Sequence, residues 1–127
     1  MKLKMITPDS TLFEGNIKSI NIAESTGGFS ILKGHAPLIS VVKDFVSTIQ
    51  TEVSDLTYIA AGAGTLKVLE DEIFLIVDYG VVGTSKEEAR TNLAKLRKEM
   101  ATRSGDLGDD TVANLEVELM RRMKELG

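Results

Sequence analysis

The chain contains no cysteine, no tryptophan, one histidine and two prolines. The missing thiols exclude disulfides, cysteine nucleophiles and cysteine-ligated zinc together, and a lone His35 leaves any transition-metal site without its commonest remaining ligand. No structural metal is expected. No window approaches the ~20 consecutive apolar residues of a membrane helix, and the opening MKLKMITPDS has no apolar core of the signal-peptide kind, so a cytosolic location is expected. Positive charge is also in deficit, 15 Lys and Arg against 19 Asp and Glu, which argues against general nucleic-acid binding. What is plentiful is apolar side chain, 43% of 127 residues, enough for the core of one ordinary domain or of a small domain with an appendage.

The charge is unevenly spread. Residues 1–84 hold 6 basic and 10 acidic side chains, whereas residues 85–127 hold 9 of each and are far more densely charged. Over the first part the apolar residues alternate or form short β-branched runs, as in KLKMIT, NIKSINI, FVSTIQT, LTYIAA, GTLKVLE and EIFLIVD, which is strand chemistry. In NIKSINI, Ile17 lies on the opposite parity to Ile20 and Ile22, so a bulge is expected near Lys18-Ser19. Breaks between strands are expected at Pro8-Asp9, Glu14-Gly15, Gly27-Gly28, Gly34, Gly62 to Gly64, Glu70-Asp71 and Gly80. Short strands at this spacing predict an N-terminal antiparallel β-sandwich or barrel.

From Ser85 the period changes. Ser85 with Glu88 three residues later is a capping-box pattern, and Ala89, Leu93, Leu96 and Met100 then form one apolar stripe. SGDLGDD interrupts the helix, Asp110 or Thr111 offers the next cap, and Val112, Leu115, Leu119, Met123 and Leu126 make a second stripe. The expected architecture is a β-sandwich over residues 1–83 followed by a two-helix hairpin over residues 84–127. Four or five apolar side chains per stripe, at ~1.5 to 3 kcal/mol each, scarcely exceed an ordering cost of ~1 to 2 kcal/mol per residue. The hairpin therefore needs a surface to lie on, its own domain's or a partner's.

Four features in order, MKLKMITPDSTLFEGNIKSINI, then GGFSILKGHAPLIS, then AGAGTLKVLEDEIFLIVD, then a two-helix C-terminus, resemble the epsilon subunit of bacterial F-type ATP synthases, the mitochondrial delta counterpart, from end to end. The resemblance implies a non-catalytic subunit on the cytoplasmic face of the bacterial plasma membrane, attached only through its complex and not an obligate homo-oligomer. It implies as partners the gamma subunit and the c-subunit ring, with the alpha and beta subunits added when the hairpin extends and inhibits ATP hydrolysis.

The same resemblance assigns candidate residues. The bend His35, Ala36, Pro37 and Leu38 is expected to help shape the surface facing gamma, and Glu24, Ser25, Thr26, Gly27 and Gly28 to face the c ring. Two departures affect these sites: Lys33 stands where the family commonly has proline, and Gly28 where it often has an acid, which leaves Glu24 as the nearest carboxylate. Arg97, Lys98, Arg121 and Arg122 are expected to draw the extended hairpin towards an acidic beta surface. Some members bind ATP through an Asp-x-x-Arg-Ala motif that falls here on Glu87, Glu88, Ala89, Arg90 and Thr91, so Glu87 and Arg90 are the candidate nucleotide contacts, with ATP a regulatory ligand and no cofactor required. An ordinary i, i+3 salt bridge is the competing reading of that pair.

His35 by itself could be a general base, a metal ligand or part of a turn. With no Ser, Asp or Glu within a few residues of it, the turn role is favoured. Against a stalk subunit stand two other function classes, a free-standing nucleotide-sensing module and a small hydrolase built on His35. The hydrolase lacks a nucleophile or metal set.

Overall fold

The computed structural model describes the chain from Met1 to Gly105. Seven strands, β1 (Lys2–Ile6), β2 (Thr11–Glu24), β3 (Gly27–Leu32), β4 (Leu38–Thr51), β5 (Leu56–Val68), β6 (Glu72–Val77) and β7 (Gly80–Gly83), are followed by helix α1 (Lys86–Gly105). The strands run β1-β6-β5-β4-β2-β3, β7 pairs with β5, and β1 also pairs with β2, so the sheet closes on itself. Most pairs are antiparallel as the sequence predicts, but β1 runs parallel to β6 and so departs from a purely antiparallel sandwich. The second predicted helix and its cap lie outside the described residues.

Three long strands each serve both layers of this flattened barrel, and each changes direction at a marked residue. In β2 the register slips between Ile17 and Ser19, where the inward-facing set changes from odd to even positions, as the sequence predicts. In β4 the change falls at Asp44, whose φ of 44° is left-handed. Before it Val42 points inward, and after it Phe45, Ser47 and Ile49 do. In β5 it falls at Gly62, opposite Asp44, where the strand leaves β6 (paired over Gly64–Val68) for β7 (paired over Tyr58–Ala61).

The breaks expected at Gly62 to Gly64 and at Glu14-Gly15 are therefore not turns. Both sites lie inside continuous strands. At Gly62 a Cβ would meet Asp78 Oδ1 at 2.6 Å, and at Gly64 it would collide with the Ile76 carbonyl, so these glycines admit a neighbouring strand. Gly80, also expected to be a break, opens β7.

The barrel interior is filled by Leu3, Met5, Ile17, Ile20, Ile22, Ile31, Phe45, Ile49, Ile59, Leu66, Ile73 and Leu75, each at most 1% exposed. A second cluster lies on the outside of one layer: Val46 and Ala60 are covered by Ala89 and Leu93 of α1, with Tyr58, Tyr79 and Val81 at its margin. The α1 start matches its sequence signature. Ser85 Oγ accepts from Glu88 N at 3.0 Å, the Ser85 carbonyl accepts from Ala89 N, and the Glu88 carboxylate reaches back to Thr84 Oγ1. One compact unit thus runs from Met1 to Leu93, past Gly83 and into the first turns of α1, and Ala94 opens a second.

Candidate functional site

The outward residues of the β4, β5, β6 and β1 layer form a patch that sequence reasoning did not single out. Pairing aligns Val41, Thr65, Ile76 and Ile6 in one transverse row and Ile39, Lys67, Phe74 and Lys4 in the next. Ile39 is 73% exposed, Val41 67% and Ile76 51%, and Ile6 and Phe74 are half-buried. Isolated exposed apolar residues are ordinary, but an in-register cluster flanked by lysines has the make-up of a contact surface. The signal was present in PLISVV and EIFLIV, which carry apolar residues on both parities and so mark strands with two apolar faces.

The bend at His35 opens β4 and so leads into this patch. Gly34 takes a φ of 87°, His35 N donates to the Leu32 carbonyl at 3.1 Å, and His35 Nδ1 donates to the Ala36 carbonyl at 2.7 Å. The imidazole is thus bound to local backbone, and no cluster of three His, Asp or Glu groups suited to a metal ion occurs among the described residues. Ala36 and Pro37 are exposed, while Leu38 turns inward and packs against the core.

The hairpin that joins β2 to β3 places Ser25, Thr26, Gly27 and Gly28 in the open, with Gly27 at a φ of 138°. A Cβ at Gly28 would stand 3.0 Å from the Ile22 carbonyl, so the backbone crowds any side chain at this position. Glu24 is already engaged: its Oε2 accepts from Lys43 N at 3.2 Å, tying the end of β2 to β4.

On α1, Glu87 and Arg90 are exposed and form no ion pair among the described residues, so the competing salt bridge between them is not made. Lys98 and Arg97 are exposed farther along, Arg121 and Arg122 lie outside the described residues, and Thr102 Oγ1 donates to the Lys98 carbonyl at 2.8 Å. Asp78 lies between β6 and β7. Its Oδ1 accepts from Ala63 N at 3.0 Å and from Tyr79 N at 2.7 Å, and its pKa is raised, because desolvation, with a smaller push from the charge of Asp44, outweighs these amide hydrogen bonds, which pull it down.

The β-sandwich domain profile of the ATP synthase delta/epsilon chain matches residues 1–82. The chain belongs to that family. An ATP synthase epsilon chain of Campylobacter jejuni (strain 81-176) is 34% identical over 110 residues, covering 84% of each chain. One from Sulfurovum sp. (strain NBC37-1) is 33% identical over 99 residues, covering 78% of this chain and 75% of the relative. The family is that of a non-catalytic, structural and regulatory subunit.

Among solved structures, a chain of the Euglena gracilis mitochondrial ATP synthase (OSCP/F1/c-ring, rotational state 1) superposes with a TM-score of 0.60 at 15% identity, over 98% of this chain and 80% of that one. A chain of the Tetrahymena thermophila mitochondrial ATP synthase central stalk and c ring gives 0.52 at 12% identity, over 63% and 64%. At such identities the likeness is one of fold. Among the described residues no helix is long and apolar enough to cross a membrane.

Proposed function

We propose that the chain is the epsilon subunit in the central stalk of a rotary F-type ATP synthase, at the cytoplasmic face of the membrane and held there through its complex. In this reading the bare apolar layer lies against the gamma subunit and the β2–β3 hairpin is directed at the c ring. The C-terminal segment reaches the alpha and beta subunits when it inhibits hydrolysis. The observation that carries the reading is the row in which Val41 and Ile76 stand open beside the half-buried Ile6, since no described residue of the chain covers Val41 or Ile76. A partner that buries it gains ~1.5 to 3 kcal/mol for each fully covered Val or Ile.

ATP fits here as a regulatory ligand at most. Glu87 and Arg90 present two separate exposed charges, and a nucleotide held by them would need further groups beside these two.

The test is co-purification with the gamma subunit of the same ATP synthase. Val41→Glu and Ile76→Glu, each alone, are expected to lose gamma while melting within a degree or two of the parent, because substitutions at exposed positions shift stability by only ~0.5 kcal/mol. Full gamma recovery with both variants would remove this face from the interface.

A further inference from the structure

Asp78 has no part in the surface above, yet it stands at the corner where the barrel changes partners. Four hydrogen bonds meet there. Asp78 N donates to the Ala63 carbonyl at 2.9 Å, Gly62 N to the Tyr79 carbonyl at 3.1 Å, and Ala63 N and Tyr79 N both donate to Asp78 Oδ1. The backbone ladder alone would leave the Ala63 and Tyr79 amides open at the point where β5 leaves β6 for β7, and the carboxyl oxygen closes them both. Tyr79 in turn borders the cluster in which Ala89 and Leu93 of α1 cover Val46 and Ala60.

We propose that Asp78 is a proton-sensitive clasp that sets how firmly β7, and with it the base of α1, is held to β5. The groups facing it fix the direction of the response. From β4 comes Asp44, a like charge; from β5 only the backbone of Gly62 and Ala63; beside it the Tyr79 ring, whose atoms crowd Gly62. The α1 residues of the adjoining cluster, Ala89 and Leu93, do not ionise.

The amides of Tyr79 and Ala63 favour the Asp78 carboxylate, but burial disfavours it more and Asp44 adds to that, so its folded pKa lies above its unfolded value. The folded state then binds the proton more tightly than the unfolded one. This contribution is fully present below the unfolded pKa and is lost as pH rises through the folded pKa. The neutral acid keeps Oδ1 as an acceptor for both amides, in weaker bonds than the carboxylate makes, while shedding the larger desolvation cost and the repulsion from Asp44. The clasp tightens in acid and loosens above the folded pKa, the reverse of a carboxylate held by a salt bridge.

Amide hydrogen exchange of the full chain, corrected for the intrinsic pH dependence of exchange and read beside an NMR titration of the Asp78 carboxyl carbon, tests this. Protection of the Gly62, Ala63, Asp78 and Tyr79 amides is expected to fall as pH rises through the Asp78 titration, by a factor set by how far the folded pKa exceeds the unfolded one. The Leu69 amide, bonded to the Glu72 carbonyl at the far turn, serves as the reference and is expected to respond less. Asp78→Asn keeps an oxygen acceptor without a charge and is expected to show high protection at every pH. Asp44→Asn, which tolerates the left-handed backbone, is expected to shift the Asp78 titration to lower pH.

Titration of Asp78 at or below the ordinary carboxylate value would overturn the proposal. So would an equal pH response at Leu69, which would mark a global effect, or a pH response that survives in Asp78→Asn.

Discussion

The two outer faces of the barrel start from similar material and end differently. On one layer Val46 and Ala60 turn outward, and the chain folds α1 over them, leaving Val46 6% exposed and Ala60 fully buried. On the other layer Ile39, Val41 and Ile76 turn outward and stay open. An apolar outward residue costs nothing in the isolated fold if its own chain covers it. Left bare, it is a solubility liability that a partner can relieve. The difference separates residues that hold this domain together from residues that address it to something else, within one set of strands.

The largest effect is expected from removing the cover. Truncation after Gly83 takes away Ala89 and Leu93 and exposes Val46 and Ala60, whereas truncation after Leu93 leaves the compact unit whole. Chemical denaturation is expected to show the shorter fragment folded but weaker by ~2 to 5 kcal/mol, the range seen on losing one large core side chain. Equal stability of the two fragments would mean that α1 adds nothing to the barrel.

A sharper version keeps the helix and exchanges single residues. Leu93→Ala on the covered face is expected to cost ~2 kcal/mol or somewhat more, while Val41→Ala on the bare face should stay within ~0.5 kcal/mol. Comparable losses at both positions would erase the distinction. The smallest effect concerns the helix start: Ser85→Ala removes the oxygen that accepts from Glu88 N and is expected to lower stability by ~1 kcal/mol, read as a shift in the denaturation midpoint at constant slope.

Much of the local structure was legible because its cause is local. The parity of Ile17 against Ile20 and Ile22 marks the β2 bulge, and Ser85 with Glu88 marks the start of α1. The glycines were misread because a turn and a close approach leave the same letter. What distinguishes Gly62 and Gly64 is the arrival of Asp78, Tyr79 and Ile76 from the next strands, a tertiary fact. Strand β7 escaped notice for a related reason: four residues, two of them glycine, have no period of their own and are strand only because β5 offers them a partner. The candidate site was legible in part. Family resemblance located the His35 bend and the β2–β3 hairpin, but not the hydrogen bond that engages Glu24 or the alignment of Ile6, Val41 and Ile76 across three strands.

Because the chain has no cysteine, the central claim can be tested by placing one thiol at a time on the bare face and at a control position away from it. Val41→Cys and Ile76→Cys report the bare layer, and Val82→Cys, 47% exposed in the parent on β7 and paired with Ile59, is the control. Alkylation rates are measured for the free chain and for the assembled ATP synthase. The account predicts fast labelling of all three thiols in the free chain, and in the assembly strong protection of positions 41 and 76 with little change at position 82. Undiminished labelling at 41 and 76 in the complex would contradict it.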